Sequence, residues 1–453
     1  MAFMKVLKQL KVSNKLYELA KLHESHGLQV SGRFFMVRIA GRGIIDLLTC
    51  QERHQAGMKE LQTDHNRLIA QGRRATVQKE ATARSYSLPY DGGTGNFQLS
   101  IFNYQLSVVL ALGALLLAPA PTWTQAGESP TRNDGPTARV VIVQDPQATD
   151  AFRARPERIP AMVNRAITNL TGRATAAEAW RSLVSTQEVV GIKVYSAPGP
   201  NSGTRPAVVA AVVEGLLAAG LPAKQIIVWD KQAADLRLAG FFELSKRYGI
   251  RVAGSAQAGY DEKAAPYESS LLGNLVWGDL EFGRTGEGLG RKSFLSKLVT
   301  REMTRIINLT PLLNHNLAGV SGNLYSLAMG SVDNTVRFES DASRLATAVP
   351  DIYNLHELSD RVVLNIVDAL ICQYEGGERG LLHYSAMLNQ LRFSRDPVAL
   401  DVLSIQELDR QRQAAKAPMV KPNLDLYNNA SSLLELGISD LKKINVETLN
   451  HHE

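Results

Sequence analysis

The chain reads as an α/β protein with a mainly parallel, doubly wound sheet carrying helices on both faces, preceded by a poorly structured leader. Three observations predict this. From residue 139 onward, short β-branched runs alternate with helical stretches, the pattern of strand and crossover helix. Several of those runs are apolar throughout, and a strand without polar alternation must be covered on both faces, as in a parallel sheet. Residues 189–229 set a strand, a loop, a helix and a second strand in order, which is one βαβ unit.

The expected strands are 139–143, 189–194, 226–229, 250–252, 305–309, 362–367 and 390–393. The clearest helix starts at Arg205-Pro206, where proline suits the first turn, carries Val208, Val209, Val212, Val213, Leu216 and Leu217, and stops at Gly220. Asp396-Pro397 opens a late helix with Asp396 as its expected cap, and Asp401 follows within it.

Four segments divide the chain. Residues 1–100 form an upstream extension, helical in places but interrupted by Gly41, Gly43, Gly72 and Gly92-Gly93. Residues 101–126 carry a signal-peptide-like or membrane-anchor segment, 127–137 a Ser, Pro, Gly and Asn linker, and 138–450 the α/β domain. The apolar core of the second segment, Leu106 to Ala118, is followed by Pro119, Pro121 and a Thr124-Gln125-Ala126 step that resembles a cleavage site. No Lys or Arg lies between Arg84 and Arg132, so the charged flank of an export signal is missing from its usual place. A cleaved signal, an uncleaved transmembrane helix over 101–120 and a buried helix are the three readings, and the first two expect an exported or membrane-anchored protein.

The formal charge of +6 suggests an acidic partner, yet its distribution argues against nucleic acid. Residues 1–126 hold 15 Lys/Arg against 8 Asp/Glu, whereas residues 127–453 hold 35 against 36. A neutral body offers no cationic face for a phosphate backbone. The two cysteines, Cys50 and Cys372, lie far apart and cannot build an iron–sulfur cluster or a disulfide framework. Gly319-Val320-Ser321-Gly322 has its second glycine one residue too early for a nucleophile elbow.

In sheets of this kind ligands gather at the carboxyl ends of strands. Lys193 closes the second run, and its loop leads through Thr204 and Arg205 into a helix start, where free amides and Arg205 suit a small anion. Thr204 acting only as a cap is the plainer alternative. Asp230 and Asp368 each follow an apolar run. His315, flanked by Asn314 and Asn316, lies beyond a strand in a segment rich in amides and glycine.

These segments together resemble the family called domain of unknown function 362, from about residue 139 to 446. The anchors are the runs at 189–194 and 226–230, Ser202-Gly203-Thr204-Arg205-Pro206, the stretch from Asn314 to Gly322, Met329-Gly330-Ser331-Val332-Asp333-Asn334, Val367-Asp368-Ala369-Leu370, Glu375-Gly376-Gly377 and the stretch from Asp396 to Asp401. The resemblance implies a family often found with export signals and without an assigned activity. It also implies lysines where Leu313 and Tyr325 stand in this chain, so part of that site is altered here.

The expected pocket is lined by Lys193, Thr204, Arg205, Asp230, Asn316, Asp333 and Asn334 as ligand-binding groups, with His315, Asp368 and Glu375 as catalytic candidates. Its expected guest is a small anionic molecule, with a divalent metal as the conceivable cofactor. The competing expectation is a non-catalytic ligand-binding or assembly protein in which the same residues cap helices and close loops.

Overall fold

A computed structural model describes residues 136–377, 379–419 and 423–450. The predicted extension at 1–100, the signal or anchor segment at 101–126 and nearly all of the linker lie outside the described residues. Among the described residues no helix is long and apolar enough to cross a membrane.

The centre of the fold is a nine-stranded mixed sheet. Its strands are β1 (Ala138–Gln144), β2 (Val190–Lys193), β3 (Ile226–Asp230), β4 (Arg251–Gly254), β5 (Arg305–His315), β6 (Gly319–Val320), β7 (Val362–Gln373), β8 (Ser385–Ser394) and β9 (Ile444–Asn450). Along the sheet they run β9-β1-β8-β7-β5-β2-β3-β4, with β6 folded back on β5. Only β8 on that path is antiparallel to its neighbours, so the sheet is mostly parallel as the apolar runs predict.

Helices cover both faces because both faces of these strands are apolar. α1 (Ile159–Thr171) and α2 (Pro206–Ala218) pack with Val141, Ile192, Val228, Ile307 and Leu309 on one side. On the other side α4 (Asn323–Ser331), α5 (Ala342–Tyr353) and α6 (Pro397–Ala414) close over Ile306 and Leu312 of β5, opposite in parity to Ile307 and Leu309, and over Val367 and Ala369 of β7. The short α3 (Ala233–Leu238) follows β3.

Three strand predictions stop short. β5 continues past residue 309 to His315, through Pro311, because the pairing of β5 with β7 is irregular between Asp368 and Gln373 and tolerates a residue without an N–H. β7 likewise extends from the expected 367 to Gln373, and β8 begins at Ser385 rather than 390. β9 is a further strand, at the sheet edge and parallel to β1, whose polar outward residues hide it from an apolar-run search. Asp396 caps α6 as expected, accepting from the Ala399 N–H at 2.8 Å.

Candidate functional site

The carboxyl ends of β2, β3, β5 and β7 share one edge of the sheet, and the predicted polar residues fall there in separate groups. At β2 the side chain of Lys193 is fully buried. Its Nζ donates to Asp230 Oδ1 and to the Val194 carbonyl, both at 2.8 Å, and to Ser326 Oγ at 3.0 Å, which uses all three of its protons. Burial depresses the Lys193 pKa, and the Asp230 carboxylate opposes that shift. Asp230 is equally occupied: Oδ2 accepts from Ser196 N at 2.7 Å and Ser196 Oγ at 2.6 Å, and Oδ1 also accepts from Lys231 N at 2.8 Å. The ion pair can form because Gly330 has no side chain; a Cβ there would lie 2.3 Å from Lys193 Cε.

At β7 the structure brings Arg205 to Asp368 across 163 residues of sequence. Arg205 Nη1 donates to Asp368 Oδ1 at 2.9 Å, and the Arg205 backbone N–H donates to Oδ2 at 3.0 Å. Asp368 thus sits at the N-terminus of α2, where the sequence leads one to expect an external anion, and the protein's own carboxylate fills that role. Arg205 Nη2 is held by the carbonyls of Asn201 and Ile371 at 3.0 and 3.2 Å. Thr204 does not cap the helix; its hydroxyl accepts from Tyr195 N at 2.9 Å and donates to the Leu309 carbonyl at 3.0 Å, tying the loop to β5. Asp401 repeats the device at α4, receiving the N–H groups of Asn323 and Leu324 at 2.6 and 2.9 Å. Its burial pushes that carboxyl up to about 7.

His315 closes β5 instead of lying beyond it. Its Nδ1 accepts from Leu317 N at 3.2 Å and Ala318 N at 3.0 Å, which assigns the ring proton to Nε2 and commits the Nδ1 lone pair to the backbone. Burial lowers its pKa to about 4, so the ring is neutral at physiological pH. Its ring lies tilted against that of Tyr325, centroids 4.3 Å apart, at one of the positions where the family resemblance implies a lysine, and Tyr325 meets Tyr195 edge-on at 6.4 Å.

Asn316, Asp333, Asn334 and Glu375 stand apart from those groups. Asn316 Oδ1 accepts from Asn314 at 2.9 Å. Asp333 receives the N–H groups of Phe294 and Leu280 at 2.6 and 2.7 Å, and burial raises its pKa to about 6. Asn334, in the left-handed region at φ 47°, donates to the carbonyls of Gly290 and Lys292 at 2.8 and 2.9 Å. Glu375 approaches Arg412 at 3.7 Å. Among the described residues no three His, Cys, Asp or Glu side chains gather closely enough to hold a metal ion.

The space left between these groups is a cleft of about 290 Å³ at the ends of β2 and β3. Tyr195, Asp230, Lys231, Asp235, Tyr325, Ser326, Thr335 and Glu339 line it. Of the predicted site residues only Asp230 faces this space directly; Lys193 lies beneath it, and His315 reaches it through the Tyr325 ring. The cleft's own cation is half-buried Lys231, which makes no ion pair among the described residues. Its ammonium donates to the Thr335 hydroxyl, which donates onward to Glu339 Oε1 at 2.7 Å. Burial lowers the Lys231 pKa against the pull of Glu339, Asp279, Asp333 and Asp230, and burial with nearby Asp230 raises that of Asp235. This chain of amine, hydroxyl and carboxylate can hold a charge or pass a proton between its ends. Lys231, Thr335 and Glu339 carry no motif. The one available signal was that Lys231 directly follows Asp230 at a strand end.

A parallel α/β sheet with a polar cleft at its carboxyl edge is the class that fold and site define. Within that class, residues 190–406 match the family model of the Domain of unknown function (DUF362), which supports the family resemblance that these segments carry. A crystal structure of a Thermotoga maritima protein is similar at 9% identity and a TM-score of 0.33, over 59% of this chain and 61% of that one. The comparison with curated proteins found no match.

Proposed function

We propose that this protein binds a small anionic molecule in the cleft at the ends of β2 and β3. The observation that carries the reading is the contrast among the buried cations at this edge. Lys193 and Arg205 are ion-paired with Asp230 and Asp368, whereas Lys231 donates to the Thr335 hydroxyl, has no ion pair within 4 Å among the described residues, and lines the cleft. With Asp230 neutralised by Lys193, Asp235 and Glu339 also line the cleft as acceptors for a hydroxyl or amine on the same molecule. A carboxylate that also carries a hydroxyl or amino group matches both kinds of group.

Isothermal titration of the full chain with small 2-hydroxy- and 2-aminocarboxylates and with inorganic phosphate tests this. A charge-assisted contact is worth about 1.5–3 kcal/mol, so Lys231→Met is expected to weaken the best of these ligands roughly tenfold to a hundredfold. Equal affinity in wild type and Lys231→Met, or no binding by any member of the set, removes the cleft as a site for such an anion.

A further inference from the structure

The cleft does not end at its polar walls. Val276 and Val336 line it and are also 46% and 48% exposed, so each belongs both to the interior and to the rim. Next to Val276 in the chain is Trp277, 87% exposed, its ring edge-on to that of Phe282 at 5.8 Å. Single exposed apolar residues are ordinary on a protein surface, but aromatic and aliphatic groups continuous with a pocket mouth mark a surface that meets something apolar.

The rim is also fixed in place. Asp279 receives Val276 N at 2.8 Å with one oxygen and Asn334 N at 2.9 Å with the other, and Asp333 receives Leu280 N at 2.7 Å. The backbone that presents Trp277 is therefore fastened to the turn that carries Thr335 and Val336. This gives Asp333 and Asn334, expected to touch ligand, a positioning role one step removed from it.

We propose that the guest is amphipathic, with an anionic head between Lys231 and Glu339 and an apolar chain running out over Val276 and Val336 onto Trp277 and Phe282. The inference rests on the cleft reading above and adds the chemical class of the ligand. Volume supports it: about 290 Å³ lies at the lower limit of whole-ligand pockets, which span roughly 300–1,000 Å³. The space encloses a head group, and a longer molecule must leave by the rim, where Val276 and Val336 are exposed.

The test is titration of the full chain with 2-hydroxybutyrate, 2-hydroxyoctanoate and 2-hydroxydodecanoate below their micelle concentrations, followed by calorimetry and by tryptophan fluorescence. Full burial of a methylene is worth about fourfold in affinity, and a half-open rim is expected to give about twofold to threefold for each one added. The double variant Trp277→Ser, Phe282→Ser should erase this chain-length gain and leave 2-hydroxybutyrate binding unchanged. Lys231→Met should weaken all three ligands by one common factor. Equal affinity for the three chain lengths, with the Lys231→Met loss intact, overturns the amphipathic ligand and spares the cleft. No loss of 2-hydroxybutyrate binding in Lys231→Met overturns the cleft itself. A chain-length gain that survives the double variant places the tail elsewhere and refutes the rim. A wild-type dimer in sedimentation that the double variant dissolves puts a second copy of this chain on the rim, which also refutes it.

Discussion

Asp368 at the end of β7 and Asp230 at the end of β3 each follow an apolar run, and the regions around them behave differently. Asp368 turns into the protein, takes the guanidinium of Arg205 and closes the N-terminus of α2, so every charge there has a partner of its own chain. Asp230 is just as fully engaged, but the residue after it is Lys231, whose amine reaches a hydroxyl in an open cleft. Asp368 answers a helix terminus and Arg205 from within the fold, whereas at the other strand end Lys231 lines a cleft.

The sharpest way to break this contrast is to remove the seal. Asp368→Ala leaves Arg205 buried without a counter-charge, an error that typically costs about 3–5 kcal/mol. The expected outcome is a large fall in the chemical denaturation midpoint, partly recovered when Arg205→Met is added. A midpoint equal to the wild type would show that the pair closes nothing.

Gly330→Ala probes the second buried pair. Its new Cβ would fall 2.3 Å from Lys193 Cε, and forcing an extra methyl into a filled space costs up to about 3 kcal/mol. Thermal denaturation should show the loss. Unchanged stability would mean that Lys193 moves aside and that the buried ion pair is loose.

His315, packed against Tyr325 at the cleft, supplies a pH measurement. Its folded pKa of about 4 lies below the ordinary 6.5, so on acidification the unfolded chain takes the proton first. Stability is therefore lost as the pH falls from 6.5 toward 4, by roughly 2 kcal/mol between pH 7 and pH 5. Asp333 and Asp401, raised to about 6 and about 7, act with the opposite sign and add stability as the pH falls. Comparing wild type with His315→Gln in urea at both pH values isolates the histidine, and an equal pH dependence in the two proteins would mean that its ring is solvated.

The smallest expected effect completes the comparison. Lys231→Met, at the open end, removes one hydrogen bond to the Thr335 hydroxyl and should lower folding stability by only about 0.5–1.5 kcal/mol. A fall as large as that of Asp368→Ala would make Lys231 a structural cation and erase the distinction between the two strand ends.

How much of this was readable beforehand follows from the reach of each signal. Local patterns carried the fold: the apolar runs at 189–194, 226–229 and 362–367 could be buried only by covering both faces, and Pro206 and Asp396 marked helix starts because backbone chemistry at a helix terminus is local. The same patterns stopped at residue 309, since Pro311 breaks the run and only an irregular register with β7 lets β5 continue. They also passed over β9, whose outward residues are polar at the sheet edge.

For the site, the sequence by itself determined that charged residues stand at strand ends. Only the tertiary structure decided which of them pair with one another and which line a cleft. Arg205 and Asp368 are remote in the chain and neighbours in space, and their pairing turns an expected anion site into a closed helix cap. Lys231, which no motif singles out, is left as the cation facing the cleft. The physical reason is that pattern and propensity act over a few residues, while burial and charge pairing depend on which distant strands lie side by side.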